Sequence, residues 1–156
     1  MNNLKIDSDL IFINKNFKDR EEALKFLANE LYLKGYVKEQ YIESIIDREK
    51  NYPTGLPSTY PKIAIPHTSN DLVNTTSIAV MTLEKGIKFR NMENNEEEID
   101  IDILVMLAIS EPKAQLEMLQ SIVKIIQDES LRLKIKESNS KQEIKNIFME
   151  VLWRKF

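Results

Sequence analysis

His67 is the only histidine among 156 residues, and the chain has no cysteine. Imidazole chemistry within one chain therefore falls to a single ring. Thiol nucleophiles, disulfides, cysteine-based zinc sites, iron–sulfur clusters and zinc sites built on two histidines are excluded. His67 stands in Lys62-Ile63-Ala64-Ile65-Pro66-His67-Thr68. A short apolar run stopped by Pro66 reads as the end of a core strand, which holds the backbone of His67 while its ring can face solvent. With an ordinary pKa of about 6.5, the ring is mostly neutral at pH 7. A neutral imidazole can attack phosphorus and hold a phosphoryl group covalently. Thr68 and Ser69 add hydroxyl and backbone donors for an anion. The same residues equally describe a half-buried or surface histidine without a role, and spacing alone does not separate the two.

Arg48 lies 19 residues upstream, near the end of a predicted helix. A guanidinium offers forked donors and a permanent charge suited to phosphate oxygens. It equally suits a solvated cation at a helix C-terminus. Lys50, Lys62 and Lys113 either add positive potential or are solvated. Glu49 is a candidate to orient Arg48, although helix neighbours at i and i+1 do not face each other. Glu96, Glu97, Glu98, Asp100 and Asp102 are rich in hard-cation ligands but lack the EF-hand loop pattern, so a solvated turn and strand edge is expected. Met92, Met106 and Met118 sit in apolar runs and read as core rather than as a cofactor box.

These residues must be positioned by the elements around them. Leu10-Ile11-Phe12-Ile13 predicts a strand. Leu24, Leu27, Leu31 and Tyr32 recur at helical spacing within Lys18–Lys34, and Gly35 follows as a C′ stop. A second helix is expected from about Lys38 to Lys50, with Tyr41, Ile42, Ile45 and Ile46 inward. Asn51 to Pro61 holds three prolines and a glycine in 11 residues, which excludes a regular helix or a central strand. Ile63-Ala64-Ile65, Thr76–Leu83 and Ile99–Ile109 read as strands, with turns at Gly86 and across Glu93–Glu98. Ser110-Glu111-Pro112 opens a helix expected to bury Leu116, Leu119, Ile122, Val123 and Ile126. A short helix follows at Leu131–Lys136. Ser140 and Glu143 form a capping-box pattern for a last helix to about Trp153. Trp153 and Phe156 either pack on the core or meet a second subunit. Helices, then strands, then helices predict an α/β sandwich with a central mixed sheet flanked by helices, a single domain over 1–156 with its core at about 8–152.

Twenty-two basic against 25 acidic residues leave a net charge of −3, which argues against nucleic-acid binding. Met1 to Leu10 carries Asp7 and Asp9 without an apolar run, so no signal peptide is expected. No apolar stretch reaches the roughly 20 residues of a membrane span. Asn74-Thr75-Thr76 fits the glycosylation pattern by chance in a chain read as cytoplasmic.

Arg48-Glu49, Tyr52-Pro53-Thr54-Gly55-Leu56-Pro57 and Ile63-Ala64-Ile65-Pro66-His67-Thr68 together resemble the enzyme IIA component of the bacterial sugar phosphotransferase system, within its fructose–mannitol superfamily. The Tyr52–Pro57 stretch is most similar to the galactitol-type branch. Phe89-Arg90-Asn91-Met92, and Leu107-Ala108-Ile109 followed by Gln115-Leu116, extend the resemblance over about residues 8–152. It implies that His67 accepts a phosphoryl group on Nε2 from phospho-HPr. The group then passes to a cysteine of enzyme IIB, which works with the membrane enzyme IIC in the uptake of galactitol or a related sugar or polyol. Arg48 matches the family's active-site arginine. Gln115 stands where mannitol- and fructose-type members carry a second histidine; its amide can support the phosphoryl group without supplying charge. The resemblance implies no metal, nucleotide or other cofactor, and a docking surface with Leu56 and Ile65 around His67. A regulatory IIA-like protein, whose phosphorylated histidine controls a kinase, transporter or transcription factor, shares the same residues.

Overall fold

A computed structural model describes residues 4–152. Helix α1 spans Arg20–Leu33. The Asp19 side chain caps it by accepting from the backbone N–H of Glu22. Its exit is a Schellman turn: Gly35 at φ +79° donates to the carbonyl of Tyr32, and Tyr36 donates to that of Leu31. Helix α2 spans Gln40–Asn51 and stops before Pro53. Three further helices follow the strands: α3 at Pro112–Ile126, α4 at Glu129–Glu137 and α5 at Lys141–Leu152. Pro112 occupies the first turn of α3, where its missing N–H costs no bond. Ser140 Oγ accepts from the N–H of Glu143 at 3.1 Å and caps α5. Trp153 and Phe156 lie outside the described residues.

The strands are β1 Ile11–Lys15, β2 Ile63–Ala64, β3 Ser77–Asn91 and β4 Asn94–Ala108, ordered β1-β3-β4-β2. β3 and β4 form an antiparallel hairpin around Met92-Glu93, while β1 joins β3 and β2 joins β4 in parallel. The period-two alternation of strand side chains divides the core in two. Ala79, Met81, Leu104 and Met106 face α1 and α2 on one side. Ile78, Val80, Ile103, Val105 and Leu107 face α3, α4 and α5 on the other. The expected α/β sandwich with a mixed sheet is the one observed.

The structure corrects several local expectations. β3 and β4 are each 15 residues long, so Gly86 and Glu96–Glu98 are strand rather than turn. Glu84–Gly86 on β3 and Asn94–Glu98 on β4 are exposed and read as turn, although Ile87 and Phe89 beyond Gly86 alternate inward and are buried. Gly86 sits at a register irregularity, where a Cβ would approach Asp100 Cβ to 3.2 Å. Met106 and Met118 are core, but Met92 lies exposed at the hairpin turn. On α3 the buried stripe is Ala114, Met118, Ser121, Ile122 and Ile125, whereas Leu116 is 59% exposed and Val123 is also exposed. Small Ala114 sets that stripe, and Leu116, two positions on, falls on the far side of the helix. Tyr32 likewise leaves the α1 stripe, which Ala23, Leu24, Leu27, Ala28 and Leu31 form.

Candidate functional site

The site is assembled where the last turn of α2, the proline-rich segment and the end of β2 meet. β2 is only two residues long because Pro66 cannot donate to a ladder. The chain still runs alongside β4: the Pro66 carbonyl accepts from Leu107 N–H at 2.9 Å, and His67 bridges Leu107. The fully buried Tyr41 hydroxyl donates to the Leu107 carbonyl at 2.7 Å. Burial holds that phenol well above its ordinary pKa, so it remains a donor throughout.

His67 is half-buried, and its Nδ1 lies 2.8 Å from the Ile65 carbonyl oxygen. A carbonyl can only accept, so Nδ1 carries the proton and the neutral ring presents its lone pair at Nε2. Burial lowers the pKa of His67; the bond to Ile65 opposes this, and the nearby Arg48 charge adds to it. The ring is therefore neutral at pH 7.

Arg48 is exposed, with its guanidinium carbon 5.0 Å from the centroid of the Tyr52 ring. Arg48 and His67 line one cavity of about 350 Å³, together with Asn51, Tyr52, Pro53, Thr54, Met92 and Asn95. The two principal candidates, 19 residues apart in sequence, thus share one concave surface.

Gln115 is not among that cavity's residues. Its Oε1 accepts from Asn70 Nδ2 at 3.0 Å, and the same nitrogen donates to the Ile109 carbonyl at 2.8 Å. Gln115 therefore ties α3 to the segment following His67. The hydroxyls of Thr68 and Ser69, expected as anion donors, are already engaged by Ser44 and Asp71 respectively. Lys62 contributes its backbone N–H to buried Asp102, Lys50 lies 4.0 Å from Glu21, and none of the three candidate lysines lines the cavity. Ile65 is buried beneath the sheet and Leu56 packs on the α3 side of the core, so the exposed apolar groups beside the cavity are Tyr52 and Met92 instead. Among the described residues no group of three acidic, histidine or cysteine side chains could hold a metal ion.

Glu49 does not orient Arg48. Only 5% exposed, it turns away from Arg48 into the protein. Its Oε2 accepts from Thr54 N–H at 2.8 Å and its Oε1 from Thr54 Oγ1 at 2.7 Å. The signal was present: Tyr41, Ile45 and Glu49 repeat at i, i+4 and i+8, one inward stripe ending in a carboxylate. Burial raises its pKa to about 7, against the opposing effects of the two Thr54 bonds and Arg20.

The rest of the proline-rich segment is clamped from both sides. Gly55 donates to the Arg90 carbonyl at 3.1 Å and accepts from Met92 N–H at 2.7 Å, which brings the hairpin turn to the cavity rim. A Cβ on Gly55 would sit 2.6 Å from that Arg90 oxygen, so only glycine fits. Buried Arg132 donates from Nε to the Pro61 carbonyl at 3.0 Å and from Nη2 to Thr59 Oγ1 at 2.9 Å.

The fold and site have known counterparts. The chain superposes with a TM-score of 0.76, at 24% identity, on a structure described as a complex of enzyme IIA-Mtl and phosphorylated enzyme IIB-Mtl from Escherichia coli, over 94% of this chain and 99% of that one. It therefore has the α/β fold of phosphotransferase-system IIA domains. By sequence, the family described as phosphoenolpyruvate-dependent sugar phosphotransferase system, EIIA 2, matches residues 5–151, and the chain belongs to it. Members of this family act as phosphotransferase components. It is 29% identical over 146 residues to the mannitol-specific EIICBA component of Escherichia coli K12, covering 92% of this chain but 22% of that protein. It is 26% identical over 122 residues to the galactitol-specific EIIA component of the same strain, covering 78% of this chain and 77% of that one. Among the described residues no helix is long and apolar enough to cross a membrane.

Proposed function

We propose that this chain is a histidine phosphocarrier in which Nε2 of His67 receives a phosphoryl group from phospho-HPr and delivers it to a cysteine of an enzyme IIB. The observation that carries this reading is a neutral imidazole whose Nδ1 is tied to Ile65, in a cavity shared with Arg48. In the first step the Nε2 lone pair attacks phosphorus in line. The P–N bond to the donor imidazole breaks, and its electron pair returns to the donor. In the second step a thiolate attacks the same phosphorus, and the P–Nε2 pair returns to His67. His67 keeps its Nδ1 proton throughout, so the ring needs no tautomer change. Positioning and charge stabilisation supply most of such catalysis, and Arg48 contributes forked donors for the oxygens that carry the developing charge. No metal or nucleotide enters this relay. Gln115, at the place where mannitol-type relatives carry a histidine, acts in this reading from outside the cavity, through its bond to Asn70 on the segment after His67.

The substrate in this reading is galactitol or a related sugar or polyol, taken up through a membrane enzyme IIC. The Tyr52–Pro57 stretch and the absence of a second histidine favour the galactitol branch over the mannitol branch. The carrier works in the cytoplasm, where HPr and the IIB cysteine are reached in turn. Incubation with phosphoenolpyruvate, enzyme I and HPr should add one acid-labile, base-stable phosphate. His67→Ala should add none, and retention of the label would overturn the reading. Arg48→Ala should slow transfer about 100-fold and move the unfolding midpoint by less than about 4 °C, because only an exposed cation–π contact is lost.

A further inference from the structure

A buried carboxylate is an expensive way to fill a helix stripe, since a leucine or methionine would be buried there without the cost of desolvating a charge. Glu49 occupies such a position beside Arg48, with a bidentate grip on Thr54. The contacts continue beyond Thr54. Its carbonyl accepts from Ile65 N–H at 3.2 Å, and the Ile65 carbonyl accepts from His67 Nδ1–H at 2.8 Å. Every donor in this chain points from the imidazole toward the carboxylate. Each intermediate residue is held on both sides, and Thr54 and Ile65 are themselves buried.

We propose that Glu49 is a positioning residue for His67, acting through Thr54 and the backbone of Ile65 to hold the ring with its proton on Nδ1 and its lone pair on Nε2. The N–H and C=O of one residue belong to different peptide planes, so the chain transmits position rather than charge. Thr54 also lines the cavity, so the same grip fixes part of its wall. Without Glu49 the Thr54 N–H and hydroxyl lose their acceptor, the 54–65 pairing loosens, and the Ile65 carbonyl no longer holds the ring in one orientation. This rests on the phosphocarrier reading for its effect on rate, but not for its effect on the ring.

His67 is the only histidine, so one imidazole contributes to the nitrogen-15 spectrum and needs no assignment. Wild type should show the Nδ1–H tautomer. Glu49→Ala should shift the signals toward a mixture of tautomers. It should lower the maximal rate of transfer from phospho-HPr by about 10- to 100-fold, with the half-saturating HPr concentration changed less than about threefold. Glu49→Gln keeps an acceptor for Thr54 N–H and should restore both the tautomer and most of the rate. Thr54→Val removes one of the two bonds and should move the ring signals part of the way, which provides the test if Glu49→Ala fails to fold. A folded Glu49→Ala, or in its place a folded Thr54→Val, with the wild-type tautomer and rate would overturn the proposal. If wild type accepts no phosphoryl group, the phosphocarrier reading fails, and the response of the ring still decides the role of Glu49.

Discussion

Glu49→Gln provides a quantitative test of the buried carboxylate. In the folded chain its pKa rises from 4.5 to about 7, chiefly through burial, with the Thr54 side-chain and backbone bonds and the Arg20 charge acting in the opposite direction. Arg20, Asp19, Glu21 and Lys50 line the groove in which it lies. A folded-state pKa above the unfolded one means that the native chain holds this proton more tightly. The contribution is therefore fully present below pH 4.5 and is lost as the pH rises through about 7. At 1.36 kcal/mol per pKa unit, the loss is about 3 kcal/mol. Glutamine has nearly the same shape, accepts from Thr54 N–H and does not titrate. Urea unfolding of both proteins at pH 5 and pH 8 should show Glu49→Gln gaining on wild type by about 2–3 kcal/mol across that interval, a relative midpoint shift of roughly 1–2 M. His67 titrates in the opposite sense: its lowered pKa gives stability that is present above about 6.5 and lost at lower pH. That contribution is common to both proteins and cancels in the difference. Parallel pH–stability curves for the two chains would refute the reasoning.

Two further substitutions test the scaffold around the site. Gly55→Ala places a methyl group 2.6 Å from the Arg90 carbonyl, so the clamp between the proline-rich segment and the hairpin must shift; a loss of about 2–3 kcal/mol, or roughly 5–10 °C in thermal melting, is expected together with slower phosphoryl transfer. Tyr41→Phe leaves the buried Leu107 carbonyl without its hydroxyl donor and should cost about 1–3 kcal/mol in denaturant unfolding. Because that carbonyl belongs to the residue that His67 bridges, its imidazole signals should also move.

The α/β class and most elements were legible because they obey local rules. Ser140 caps a helix, Gly35 takes a positive φ, and Ile78–Met81 and Ile103–Leu107 are apolar because the sheet is covered on both faces. The outer part of β4 was hidden because Asn94–Glu98 are all exposed and have a loop-like sequence, and exposed Glu84–Gly86 interrupt β3 before buried Ile87 and Phe89 resume it. The inward face of α3 differs from the expectation because Ala114, not Leu116, lies on the face of Met118, Ile122 and Ile125, and residues two apart on a helix point to opposite sides. Met92 reads as core from its apolar side chain but sits in the hairpin turn, where that side chain is exposed.

The candidate site divides along the same line. His67 stands out by its scarcity and by the backbone restriction at Pro66, which are properties of the chain itself, whereas Arg48 upstream of it stands out only through the resemblance of the motif to a known family. Their meeting in one cavity, the capture of Gln115 by Asn70, and the engagement of Thr68 by Ser44 depend on contacts between segments far apart in sequence. Glu49 shows the difference most clearly. By sequence it is one more charged residue beside Arg48. Only the packing of α2 against the sheet turns it inward, because Tyr41 and Ile45 set which face of the helix is buried, and geometry then delivers its carboxylate to Thr54. The sequence alone determined which side chains could do the chemistry. The tertiary structure decided which of them meet and which proton the ring carries, since hydrogen-bond direction and burial exist only once distant segments are in contact.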